Sequence, residues 1–160
     1  MRKVMVFGTF DILHAGHLKF LEEAKKLGGK DAKLIAVIAR DSTVQKVRGR
    51  PPIFSEEDRR KLIEGLKPVD EAILGYEGGD MLKIVEEKKP DVIVLGYDQR
   101  KDMDQFIDEL RSRGINAEVY RLPKYGELNS SSIIVKKIVE MANKWGISGR
   151  ELERRERSGR

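Results

Sequence analysis

The chain contains no cysteine, so disulfides and thiolate metal sites are excluded. Aromatic residues make up only 6 % of its 160 residues, with a single Trp. There is no apolar run of the roughly 18 residues that a membrane span needs, and the N-terminus carries no signal-peptide-like stretch. A soluble, cytoplasmic protein with no membrane partner is the expectation. Histidine is also scarce: there are two, His14 and His17. What is abundant is charge. Lys and Arg outnumber Asp and Glu by 32 to 27, for a formal net charge of +5. That excess suits a phosphorylated ligand or a nucleic acid. Much of it lies in the last segment, "GRELERRERSGR", rather than on a strand face studded with aromatics, which argues against an RNA platform. No nucleic-acid partner is expected.

Short apolar runs alternate with amphipathic ones. "KVMVFG", "KLIAVIA" (33–39), "EAILG", "DVIVLGY" (91–97) and "INAEVYRL" read as strands. "HLKFLEEAKKLGG" places Leu18, Leu21, Ala24 and Leu27 at helical spacing before a Gly stop. "SEEDRRKLIEGLKP" opens with Ser55 as an N-cap and Asp58 three residues on. "DMLKIVEEKKP", "MDQFIDELRSRG" and "SSSIIVKKIVEMANKWG" complete the helices. The alternation predicts an α/β fold: a Rossmann-like, doubly wound parallel sheet of about five strands with helices on both faces. Residues 1–146 are expected to form the domain. Residues 147–160, with one Leu among polar residues, are expected to be a flexible basic tail.

Both histidines fall where the first strand hands over to the first helix, the end of a parallel sheet at which ligands bind. Helix N-termini there offer free N–H groups and partial positive charge to anions. His14 and His17 at i and i+3 share one face of the first turn. Gly16 leaves room for a phosphate to approach the backbone, and Asp11 stands close enough to orient an imidazole or cap the turn. The constellation predicts a phosphate cradle that stabilises charge developing during transfer. A metal pair is disfavoured, because nothing nearby supplies a third and fourth ligand at familiar spacing.

"GTFDILHAGH" resembles the "GTFD…HxGH" signature of the nucleotidyltransferase superfamily, the cytidylyltransferase-like enzymes among them. "ARDSTVQKVRGRPPIFSEEDRRKLIEGLKPVDEAILG", "VIVLGYDQ" and "NSSSI" resemble the segments that follow in its small members, so nearly all of residues 1–140 is covered. Through "ILHAGH", "LKPVD", "LGYDQ" and the "KY" before the serines, the chain is most similar to the archaeal FAD synthase type, an FMN adenylyltransferase. The resemblance implies in-line transfer of a nucleoside monophosphate from a nucleoside triphosphate to a phosphorylated acceptor, with loss of pyrophosphate and no covalent enzyme intermediate. ATP and FMN are the implied partners. The alternative is CTP with glycerol 3-phosphate or a similar phospho-alcohol. A divalent cofactor ion, Mg²⁺, goes with either.

The resemblance also implies site residues. His14, His17 and Lys46 are expected to be catalytic, with Lys46 in a Gly-containing basic loop, "QKVRGR", reaching the triphosphate. Thr9, Phe10, Asp11, Ala15 and Gly16 join the histidines as nucleotide-binding residues. Asp98 emerges from a buried strand; it either accepts a bond from ribose or an amino group, helps hold Mg²⁺, or is an ordinary turn aspartate. Ser130, Ser131 and Ser132 precede the last helix, where one is an N-cap and three can seat a phosphate. The small cytidylyltransferases resemble "RTxGIST" there, whereas this chain reads "KYGELNSSS". An arginine is gone, and Tyr125 supplies an aromatic ring for a base or a flavin. Arg59 lies either beside the site or on the surface. Tyr76 and Trp145 serve packing or an interface, which leaves a homodimer open.

Overall fold

The computed structural model describes residues 1–78 and 80–159. Five strands form one parallel sheet: β1 (Lys3–Gly8), β2 (Lys33–Ile38), β3 (Glu71–Leu74), β4 (Val92–Leu95) and β5 (Glu118–Arg121). Their order is β3-β2-β1-β4-β5. The described helices are α1 (Ala15–Leu27), α2 (Asp41–Arg48), α3 (Glu56–Glu64), α4 (Met81–Lys88), α5 (Met103–Ser112), α6 (Ser131–Trp145) and α7 (Gly149–Arg157). None is long and apolar enough to cross a membrane.

The near-continuous apolar strands follow from burial on both faces. Val4, Val6, Leu34, Ala36, Val92 and Val94 meet Leu21 and Ala24 of α1 and Ile63 of α3 on one side. Met5, Phe7, Ile35, Val37, Ile93 and Leu95 meet α4 and α5 on the other, through residues such as Leu82, Val85, Phe106 and Leu110. Alternation with period two sends successive side chains into opposite cores. The chain winds from β1 to β3 in one direction and then returns to β4 on the far side of β1. The topological switch point therefore lies between the carboxyl ends of β1 and β4.

Two segments depart from the sequence reading. "QKVRGR" is not a loop throughout: Lys46 and Arg48 lie on α2, which ends at Gly49 in the left-handed region, φ 76°. Eight residues with one buried member, Val44, carry too weak a periodicity to announce a helix. Residues 149–157, within the segment read as a flexible basic tail, form α7, capped by Ser148 and carrying an i,i+4 pair between Glu151 and Arg155.

The chain divides into two compact units, residues 1–129 and 130–160. The first holds the sheet and α1–α5. The second holds α6 and α7, joined through Gly146, the left-handed C-cap of α6 and the position at which the domain boundary was expected.

Candidate active site

The turn between β1 and α1 is held in an unusual shape. Phe10 and Ile12 both lie in the left-handed region, at φ 53° and 51°, and Ile12 is β-branched. Phe10 folds its ring back against Gly8, where any Cβ would strike it, and presents an edge to the His17 imidazole at 5.4 Å. Phe10 is thus a core residue that backs His17. Asp11 does not cap the helix. Its carboxylate accepts from the backbone N–H groups of Ile53 and Phe54, at 2.6 and 2.9 Å, and pins the segment before α3 to the turn.

The cap is His14. Its Nδ1 accepts from the His17 N–H at 3.3 Å, while the His17 Nδ1 accepts from the His14 N–H at 3.2 Å, a reciprocal capping box made of two imidazoles. The rings stack with centroids 3.6 Å apart. Because each Nδ1 accepts, each neutral ring carries its proton on Nε2. The His14 Nε2 is buried and has no hydrogen-bond partner among the described residues. Burial holds His14 below its ordinary pKa. Burial, helped by His14 and opposed by Asp11, takes His17 down to about 4. At neutral pH both rings are therefore neutral, each with an Nε2–H donor, at a helix N-terminus. Ala15 opens that helix, exposed, and Gly16 follows it, buried. What crowds Gly16 is protein: the Tyr125 carbonyl and the His14 ring occupy the space a Cβ would need.

Next to this turn, the carboxyl ends of β1, β2 and β3 open into a cleft of about 400 Å³. Thr9, Arg40 and Asp98 line its polar side, and Val44, Val47, Tyr76 and Met81 its apolar side. Lys46 is exposed on α2 and is not among the lining residues. The start of α2 is clamped from α3. Arg59, fully buried, donates to the carbonyls of Thr9, Ala39 and Phe54 and to the Asp41 carboxylate at 2.7–3.0 Å. Glu56 receives Arg40 and the Asp41 N–H. Arg59 is therefore no surface arginine: it ties the cleft wall to the histidine turn. Sequence spacing gave no sign of this, because its acceptors are mostly backbone carbonyls on three separate segments.

On the other side of β1, the loop after β4 carries Tyr97, exposed beneath Lys124 at 4.4 Å, and Asp98. The Gln99 amide bridges that loop to the Phe7 carbonyl of β1 at 2.9 Å. In the second unit, Ser130 caps α6 by accepting from the Ile133 N–H at 3.2 Å, and Ser131 and Ser132 form its first turn. No group of three or more His, Asp or Glu side chains suited to a metal ion is present among the described residues.

A parallel sheet ordered 3-2-1-4-5, with imidazole donors at the first helix N-terminus beside a cleft, defines a nucleotide-handling α/β protein. The cytidylyltransferase-like family model matches residues 5–155, and the chain belongs to that family. It is 56 % identical over 143 residues to the FAD synthase of Methanobrevibacter smithii, covering 88 % of this chain and 93 % of the relative. It is 51 % identical over 142 residues to the FAD synthase of Thermoplasma acidophilum, covering 88 % and 96 %. The crystal structure of a lipopolysaccharide core biosynthesis protein from Thermoplasma volcanium is similar at 49 % identity and a TM-score of 0.72, covering 79 % of this chain and 99 % of that one. A pantoate-beta-alanine ligase from Francisella tularensis shares the fold alone, at 15 % identity and a TM-score of 0.55, covering 79 % and 60 %.

Proposed function

We propose that this chain transfers AMP from ATP to the phosphate of FMN, forming FAD and pyrophosphate. The observation that carries this reading is the reciprocal His14–His17 cap, which fixes both imidazole tautomers at the α1 N-terminus and leaves the buried His14 Nε2 without a partner among the described residues, next to a cleft with an apolar wall. The names of the archaeal relatives support the same substrates.

In this reading the triphosphate lies against the α1 N-terminus. An FMN phosphate oxygen attacks the α-phosphorus in line. The new P–O bond forms as the bond to the β-phosphate oxygen breaks, and pyrophosphate carries the electron pair away. Such a reaction needs positioning and charge stabilisation rather than a nucleophilic side chain. His14 and His17 donate from Nε2 to the oxygens on which charge builds. Lys46, exposed on α2, reaches the phosphates when they are bound. The cleft wall of Val44, Val47, Met81 and Tyr76 takes the flavin ring, and Arg40 stands among the lining residues for the acceptor's negative charge. A three-carbon phosphate would leave most of that wall uncovered.

Mg²⁺ fits as part of the nucleotide substrate. It keeps several waters and binds phosphate oxygens with one or two carboxylates. Among the described residues that line the cleft, Asp98 is the only carboxylate, and it serves either this ion or the ribose. Pyrophosphate release measured with ATP or CTP against FMN, glycerol 3-phosphate and phosphocholine tests the assignment. Turnover is expected with ATP and FMN. Faster turnover with CTP and glycerol 3-phosphate would reject the flavin reading.

A further inference from the structure

The loop between β4 and α5 is folded around a single side chain. Arg121, on β5, donates to the carbonyls of Gly96 at 2.9 Å, Gln99 at 2.5 Å, Arg100 at 2.5 Å and, more loosely, Tyr97 at 3.4 Å. Four carbonyl dipoles aimed at one point repel one another unless a cation sits there. The planar guanidinium supplies that charge together with five N–H donors in a fixed fork. Arg100 occupies the left-handed region at φ 44°, a conformation a non-glycine residue keeps only when its surroundings hold it. A second latch comes from Gln99, whose Oε1 accepts from the Gly96 N–H at 2.8 Å while its Nε2 donates to the Phe7 carbonyl of β1. The loop is thereby strapped to the strand that launches the histidine turn, at the switch point between β1 and β4.

This loop presents the exposed Tyr97 ring, one face of which lies beneath Lys124, and the exposed Asp98 carboxylate. A nucleotide whose phosphates lie on the α1 N-terminus and which crosses the switch point meets them with its nucleoside end. We propose that Arg121 is a positioning residue for the nucleotide: it sets the loop that reads ribose and base without touching either. The inference rests on the nucleotidyl-transfer reading above. Lysine cannot replace the arginine here, because a single ammonium nitrogen cannot cover acceptors that Nη1 and Nη2 reach separately.

Wild-type pyrophosphate release with ATP and FMN tests the transfer reading by itself. The ratio of the two KM values tests Arg121. Arg121→Ala and Arg121→Lys are expected to raise the KM for ATP by about tenfold or more, the scale of losing charge-assisted hydrogen bonds. The KM for FMN should rise several-fold less, since only Asp98 and Gln99 of this loop reach the cleft. Guanidinium ion added at low concentration should restore the ATP KM of Arg121→Ala, and an equal concentration of potassium should not. Gln99→Leu, which opens the other latch, should give the same split and carries the test if Arg121→Ala does not fold. Unchanged KM values, equal rises in both, or no rescue by guanidinium would overturn the proposal.

Discussion

His14 and His17 cap one another: each ring nitrogen Nδ1 accepts the other residue's backbone N–H, and the two rings lie stacked 3.6 Å apart. The cap fixes both tautomers and so decides which nitrogen faces the ligand. His17→Ala removes one aimed donor and should lower kcat by on the order of 10²–10³, with the sheet intact by circular dichroism. Wild-type kcat in that variant would sink the phosphate-cradle reading.

Protonating either Nδ1 would break the cap, which gives the pair a pH signature. His17 titrates near 4 when folded, chiefly through burial, against 6.5 when unfolded. Between those values the unfolded chain binds a proton that the folded one refuses, so stability falls as pH drops through that window. The loss from His17 is on the order of 3 kcal/mol by pH 4 and vanishes above neutrality. Urea unfolding at pH 7, 6 and 5 should show a steeper decline for wild type than for His17→Ala. Identical slopes would show that His17 is not held neutral by the fold.

The parallel sheet was legible because its strands are apolar on both faces, and the histidine turn because two imidazoles flank a glycine after a β-rich run. Lys46 was legible as a candidate, its helix was not: "DSTVQKVR" buries Val44 alone. Asp11 was legible as a neighbour of the imidazoles, and its carboxylate does act on His17. Its donors, the Ile53 and Phe54 N–H groups, lie more than forty positions away and are backbone groups, which leave no residue pattern. Arg59 and Arg121 were invisible as organisers for the same reason. Each spends its guanidinium mainly on carbonyl oxygens, and every residue has one.

Arg59 should be the costliest of these to remove. It is fully buried, and its loss leaves the Thr9, Ala39 and Phe54 carbonyls without their donor. Arg59→Met is expected to lower stability by about 3–5 kcal/mol. Asp41→Asn should cost far less, since the Asp41 side chain is 43 % exposed and the amide oxygen can still accept. Chemical denaturation of the two variants side by side checks the ranking. A mild Arg59→Met would mean that the clamp is dispensable.

Tyr76 tests what fills the cleft. Its hydroxyl donates to Glu87 at 2.5 Å and Lys83 lies over its ring at 4.8 Å, so the side chain is fixed while 39 % exposed at the cleft. A flavin stacked there should gain roughly 1–3 kcal/mol, by analogy with base stacking on aromatic rings. Tyr76→Ala is therefore expected to raise the KM for FMN about tenfold or more and to leave that for ATP unchanged. Tyr76→Phe, which loses only the Glu87 bond, should behave nearly as wild type. An effect on ATP instead would place the nucleotide in the cleft.

Gly16 separates activity from stability most sharply. Its φ is not in the left-handed region, so backbone conformation does not demand glycine. Space does. An added Cβ would meet the Tyr125 carbonyl and also lie 2.9 Å from the Nδ1 and Cε1 of the His14 ring. Overpacking of this kind costs about 1–3 kcal/mol; the nearer neighbour is the Tyr125 backbone carbonyl, so that carbonyl or the start of α1 must shift as well as the His14 ring. Displacing the ring lengthens the His14 Nδ1 bond to the His17 N–H, already 3.3 Å, and releases the tautomer that the cap selects. Gly16→Ala should thus stay folded, with a melting point a few degrees lower, yet lose kcat on the order of 10²-fold, the scale of a misplaced donor. Gly149→Ala is the control, since nothing lies within 4 Å of its Cβ position, and it should lose neither. A Gly16→Ala enzyme that keeps wild-type kcat would show that the imidazole cap tolerates displacement and that donor geometry at His14 does not limit the reaction.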